Sequence, residues 1–385
     1  MSYNPIDKCW RRDPNWAQNR MKLADCAVGF GSAAKGGNGG KMYTVISPGY
    51  NAVNPSPGTL RYGVTRSGSL WIVFASDMEI KLQMPLFFTI RKTIDARGSN
   101  VYIGNGPCIT LVNVSNVIIH GLNIHDYQPS KPGKILLSEG TQTEEIETQD
   151  GDGISVRNSR DVWIDHNTLV SCSDGLVDVT LASTAVTISN NRFSYHDKVM
   201  LLGHSDDYTA DKAMKVTVAF NHFGPGLTER MPKVLWGYVH VANNNYEPSG
   251  TYAIGGSADP IIKSEGNLFV APNEENNKQD PGLEMRPRHV SWDTITVTGL
   301  ALPTMLAGVI SGFLCLDRVT RVTQLLEIVP MPWDIYVDVE DAGMEVDYTS
   351  YWEEHLFPRL MDPGELIEGD GGCDGDDSGD GRGRG

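Results

Sequence analysis

Between Gln149 and Asp178 the chain carries four aspartates in two pairs. Asp150 and Asp152 form a DGD motif, and 22 residues after Asp152 the motif DGLVD supplies Asp174 and Asp178. Carboxylates gathered in so short a stretch repel one another unless a cation or a set of donors compensates. An all-oxygen set of this kind suits Ca²⁺ better than softer metals. A lone DGD is ordinarily a solvated acidic turn; what argues for a metal site here is that both clusters ride on one repeat. Later segments add cations. HDKVMLLGH presents Lys198 with His196 and His204 nearby, and LTERMPKVLWG presents Arg230 and Lys233. By composition such residues belong on a solvated face. Beside an acidic cation site they suit an anionic, carboxylate-bearing polymer, with Ca²⁺ bridging to substrate while Lys and Arg hold the rest. His166 and the other histidines read as core or supporting groups rather than ligands.

The elements that must position these residues come from a recurring pattern. It appears as VIIHGLNI, VWIDHNTL, VTISNNRF, VTVAFNHF and VHVANNNY, and the last four copies start 24, 30 and 23 residues apart. Each copy alternates β-branched residues, then turns a polar corner, usually Asn, then returns to an apolar residue. Alternation of this kind reads as strand. A period in the twenties with no helical pattern between copies reads as a solenoid, and without a Leu-rich consensus the parallel β-helix fits best. Asn167, Asn191, Asn221 and Asn244 fall at one phase and are expected to stack as a ladder. Residues one coil apart would lie roughly 4.8 Å apart, so the repeat brings both acidic clusters to neighbouring coils of one face.

At 385 residues the chain has room for two domains, but a solenoid can use the length as one. A net charge of −16 argues against nucleic-acid or anionic-membrane partners. Cys9 and Cys26 flank an N-terminal helical segment; they could form a staple, which suits an oxidising compartment, or remain two buried thiols. No signal peptide is visible after the opening MSYNPIDKC, and Asn113-Val-Ser is an N-glycosylation acceptor if the protein is secreted. After Gln279 the strand–Asn pattern stops. The chain reads as a solenoid over 1–279, a divergent segment over 280–361 and an acidic Gly/Asp-rich tail over 362–385 that is expected to be disordered. The apolar stretch 295–316 has the length of a membrane span, but its Thr, Gly and Pro content argues against one.

The motifs WIDHN, DGLVDVT, KVMLLGHSD, RMP, VHVANNNY and YAIGGSADP, taken in order, resemble the plant pectate lyases. NPIDKCWR and NWAQNRMKLADCAVGFG are similar in particular to the pectate-lyase-like pollen allergens of conifers. The resemblance runs from about Asn4 to Lys278 and rests on several long, separate motifs. It implies an all-β, right-handed single-stranded parallel β-helix with a short N-terminal helix. It also implies a secreted, monomeric enzyme of the plant cell wall that cleaves pectate (homogalacturonan) by Ca²⁺-dependent β-elimination. Carried over motif by motif, Asp150, Asp174 and Asp178 match calcium ligands, with Asp152 an accessory acid. Arg230 matches the base that takes the C5 proton, and Lys198 matches a substrate-binding lysine.

Two departures matter. The family motif RMPRxR is here RMPKVL: Lys233 keeps a charge without a bidentate fork, and Leu235 replaces an arginine that contacts substrate. Losing one charge-assisted bond costs on the order of 1.5–3 kcal/mol, about ten- to a hundredfold in binding or rate. From about Asp280 the family's further strands are not recognisable, as a shifted frame, retained intron or misjoined exon would produce. The competing functions are therefore an active pectate lyase, a weak or inactive pectate-binding protein of the same fold, and a glycoside hydrolase, which would need paired acids rather than Lys and Arg.

Overall fold

The computed structural model describes residues 4–270, apart from Cys108 and Asp150, together with the backbone of His289–Thr298. Each repeat becomes one coil. In the copy at Val162, the strand Arg160–Asp165 leads through the corner at Asn167 into Thr168–Val170. A turn holding Asp174 follows, and then the strand Val177–Thr180. The next strand, Thr184–Ser189, lies parallel to the first and pairs Val162 with Val186 and Ile164 with Ile188. The same phase sets Val186 on Val216, Val216 on Val239 and Val239 on Ile262. The result is a parallel β-helix with one long sheet and a separate seven-stranded sheet.

β-Branched side chains pack well on a pleated surface, and here every second one points inward. Val117, Val162, Ile164, Val186, Ile188, Val216 and Val239 are fully buried. Phe193, Phe223, Tyr246 and Phe269 stack from coil to coil at centroid spacings of 5.2, 4.6 and 4.4 Å. At the corner the predicted ladder forms. Each Asn Nδ2 donates to the next Oδ1, from Asn167 through Asn191, Asn221 and Asn244 to Asn267, over 2.9–3.1 Å.

The N-terminal segment, with a helix at Pro5–Trp10, crosses the outside of the long sheet. The Cys9–Cys26 disulfide, with Cα atoms 5.5 Å apart, settles the choice that spacing left open. Threonines on three of the coils hold its backbone: Gly37, Gly31 and Phe30 donate N–H bonds to the hydroxyls of Thr93, Thr187 and Thr217. A Cβ on Gly31 would sit 2.6 Å from backbone atoms of Thr187 and Val162, so glycine alone allows this approach. Beyond the pattern's end at 279, His289–Thr298 adds another strand parallel to Ile261–Val270. Most of the 295–316 stretch, of the divergent segment 280–361 and all of the tail lie outside the described residues. No helix among the described residues is long and apolar enough to cross a membrane.

Candidate active site

The seven-stranded sheet builds the site. Its strands Ile154–Arg157, Val177–Thr180, Met200–Leu202 and Lys233–Val234 are neighbours in that order. Val177 and Val179 are fully buried; alternation then turns Asp178 outward. The register aligns Ser155, Asp178, Leu201 and Lys233 in one row across this face. Of the remaining candidates, Asp152, Asp174 and Arg230 stand in the turns just before these strands, while Lys198 ends the short strand His196–Lys198, which pairs with Leu227–Glu229; each precedes its strand of the sheet by two or three residues. Asp150 lies outside the described residues.

Asp152 is 3% exposed, and its Oδ1 accepts the Gly175 N–H at 3.2 Å. Burial, supplemented by the charge of Asp174, pushes its carboxyl up to about 6. Asp178 accepts the Leu201 N–H at 3.1 Å; burial, and then the charge of Asp152, raises it well above the carboxylate range. Gly175 makes the packing possible, because a Cβ there would lie 2.3 Å from Asp178 Oδ1. Asp174 sits nearer solvent with its Oδ1 3.2 Å from Lys198 Nζ. Asp152, Asp174 and Asp178 are therefore hard oxygen donors, two of which resist ionisation because burial outweighs the nearby Arg157 and Arg230, and donors of this chemistry suit a hard divalent cation.

Arg230 lies in the left-handed region (φ 64°), and its Nε donates to Glu229 Oε1 at 3.0 Å. Its carbonyl accepts the Met200 N–H at 2.7 Å, and the following Met231–Pro232 peptide is cis. The positive charge of Arg230 acts favourably on Asp178. The fold thus brings Asp152, Asp174, Asp178, Lys198 and Arg230 to adjacent coils. Lys233 is set two coils from Asp178 with Leu201 between them, ~10 Å away at one coil per 4.8 Å. Leu235 is 5% exposed and packs against Gly203, so it presents nothing to the cleft.

Three neighbours were not among the sequence candidates. Arg157 lies 3.7 Å from Asp152. Its signal was its place two residues after Ser155 on the outward side of a strand. His196, noted only as a neighbour of Lys198, accepts the Cys172 N–H on Nδ1 at 3.3 Å and donates through Nε2 to the Asp174 carbonyl, steadying that turn. The buried Tyr252 hydroxyl stands near Arg230, and burial raises its pKa; nothing in its motif marked it.

Residues 28–282 match the family model described as pectate lyase. The chain belongs to the pectate lyase family. It is 62% identical over 279 residues to Pectate lyase 1 of Chamaecyparis obtusa, covering 72% of this chain and 74% of that protein. With the pectate lyase of Zinnia elegans it shares 57% identity over 288 residues, or 74% of this chain and 71% of the relative. The crystal structure of jun a 1, the major allergen from cedar pollen, superposes with a TM-score of 0.71 at 57% identity, covering 76% of this chain and 82% of that one. Family membership makes the protein a polysaccharide lyase and implies a metal-dependent one; the resemblance read from the motifs stands.

Proposed function

We propose that the protein is a secreted plant enzyme that cleaves (1→4)-α-D-galacturonan by calcium-dependent β-elimination, releasing 4,5-unsaturated oligogalacturonides. The observation that carries this reading is the grouping of Asp152, Asp174 and Asp178 with Lys198 and Arg230 on neighbouring coils of one sheet face. Asp152, Asp174, Asp178 and, from its motif, Asp150 would hold Ca²⁺; bound there, it neutralises substrate carboxylate charge and stabilises the enolate-like transition state.

The chain's own residues do the rest. Lys198 and Lys233 bind carboxylates of the polymer. Arg230, oriented by Glu229, removes the proton from C5. The C5–H electron pair becomes the C4–C5 double bond, the C4–O bond breaks, and the departing oxygen takes a proton from water. An arginine acts as a base only when neutral, so alkaline medium favours turnover. A second reading, a weak or inactive pectate-binding protein, draws on Leu235, which is buried where the family motif places an arginine.

The deciding assay follows absorbance of unsaturated uronide at alkaline pH, with calcium and with chelator. Product that forms with calcium and falls by about a hundred- to ten-thousandfold in Arg230→Ala supports the lyase. Pectate binding without product supports the second reading, and reducing ends without unsaturation point to hydrolysis.

A further inference from the structure

Arg157 meets the stretch around the acidic turn at Gln149, Asp152 and Ser155. It ends the strand Ile154–Arg157, where Ile154 and Val156 are fully buried, so Ser155 and Arg157 face outward. Its Nε donates to Ser155 Oγ at 2.9 Å, one Nη donates to Gln149 Oε1 at 2.9 Å, and the other lies 3.7 Å from Asp152 Oδ2. One rigid, planar group thereby fixes both ends of the Gln149–Ser155 stretch, which contains the DGD motif. Gln149 is itself tied to the previous coil through its N–H to Ser130 Oγ at 3.1 Å.

We propose that Arg157 is a positioning residue for the metal: its guanidinium clamps Gln149, Asp152 and Ser155 so that Asp152 is presented in ligand geometry, without reading substrate. The proposal rests on the metal reading above. Charge and geometry predict opposite outcomes here. A cation beside the site repels Ca²⁺, so if charge were all that mattered, removing it would tighten binding. If the clamp matters, losing the fork weakens binding even where the charge is kept, because a lysine ammonium cannot hold three separated acceptors in a plane.

Calorimetric titration of Ca²⁺ into the full chain, its Arg157→Lys and Arg157→Gln variants, and Gln149→Ala separates these cases without reference to activity. Both Arg157 variants are expected to bind Ca²⁺ about tenfold more weakly, the usual scale for losing a residue that orients a ligand. Gln149→Ala is expected to show a smaller loss in the same direction. The KM for pectate at saturating calcium should stay within about twofold of the parent. Parent-like affinity in Arg157→Lys, or tighter binding in Arg157→Gln, would overturn the clamp in favour of charge alone. Unchanged calcium affinity with a tenfold higher KM would make Arg157 a substrate contact instead. Should Arg157→Gln fail to fold by circular dichroism, Arg157→Lys and Gln149→Ala decide the matter. A parent that binds no Ca²⁺ sinks the metal reading together with the clamp; a binding parent with unaltered variants sinks the clamp alone.

Discussion

Lys198 Nζ lies 3.2 Å from Asp174 Oδ1, so a residue proposed for substrate and one proposed for metal hold each other. Their side chains are 41% and 39% exposed, which makes the pair worth little as a stabilising contact. The pair is better understood as exchangeable. On the proposed function, a cation that took Asp174 would release the ammonium towards a galacturonate carboxylate, so that occupation of one half of the site would prepare the other.

Lys198→Met should then raise the KM for pectate about tenfold or more, the cost of one charge-assisted hydrogen bond. Calcium affinity measured without pectate should stay level or tighten, because a competing cation has gone. Weaker calcium binding in this variant would show that Lys198 shapes the metal site rather than yielding to it.

Asp152 and Asp178 make a prediction about the chelated protein. Burial lifts both acids, helped by the charge of Asp174 at Asp152, which reaches about 6, and by that of Asp152 at Asp178. An acid with a raised folded-state pKa holds more protons folded than unfolded. Its contribution therefore falls as pH climbs from about 4 through about 6, by roughly 3 kcal/mol for Asp152. Melting curves in chelator should show wild type losing stability relative to Asp152→Asn across that window. Calcium at about a hundred times its Kd should restore ~2.7 kcal/mol to wild type. If wild type and variant run parallel from pH 4 to 7, the carboxylates are not the uncompensated pair described.

His166 sets a limit from the alkaline side. Burial works against its charge, but Asp165 at 2.6 Å and Asp7 at 2.9 Å outweigh burial and raise it to about 9. The protonated ring joins the N-terminal helix to the coil. A histidine with a raised folded-state pKa stabilises fully below about 6.5, and that contribution, roughly 3 kcal/mol, is lost as pH rises through about 9. The Tm should fall across this window in wild type and fall less in His166→Gln. Equal slopes would remove His166 from the account.

What could be read in advance, and what could not, follows from where each residue gets its partner. Asp152, Asp174, Lys198 and Asn191 take theirs from adjacent coils, and a repeat of fixed phase turns sequence distance directly into spatial distance. Thr93, Thr187 and Thr217 look like ordinary strand formers. Their hydroxyls are explained by Gly37, Gly31 and Phe30, which belong to a segment outside the repeat. Arg157 was not marked in the sequence because Gln149 and Asp152 reach it through a turn whose path no periodicity specifies. Cys9 and Cys26 lie in that same non-repeating segment, which is why their spacing allowed either answer.

The corner ladder can be tested at its centre. Asn221 Nδ2 donates to Asn244 Oδ1 at 3.0 Å and to the Ile188 carbonyl at 2.9 Å. Its Oδ1 accepts from the Asn191 backbone N–H at 2.9 Å and from Asn191 Nδ2 at 3.1 Å. All of this is buried, with Asn221 1% exposed. Asn221→Ala removes four bonds and strands the Asn191 donors without water, so the loss should exceed that of one hydrogen bond and reach about 3 kcal/mol or more. Asn221→Asp should not rescue it, since the new carboxylate cannot donate to Asn244 and would be buried uncompensated. Urea melts of the two variants give the comparison. An Asn221→Ala cost below about 1 kcal/mol would mean the coils are held by their aliphatic and aromatic stacks, with the amides merely filling the corner.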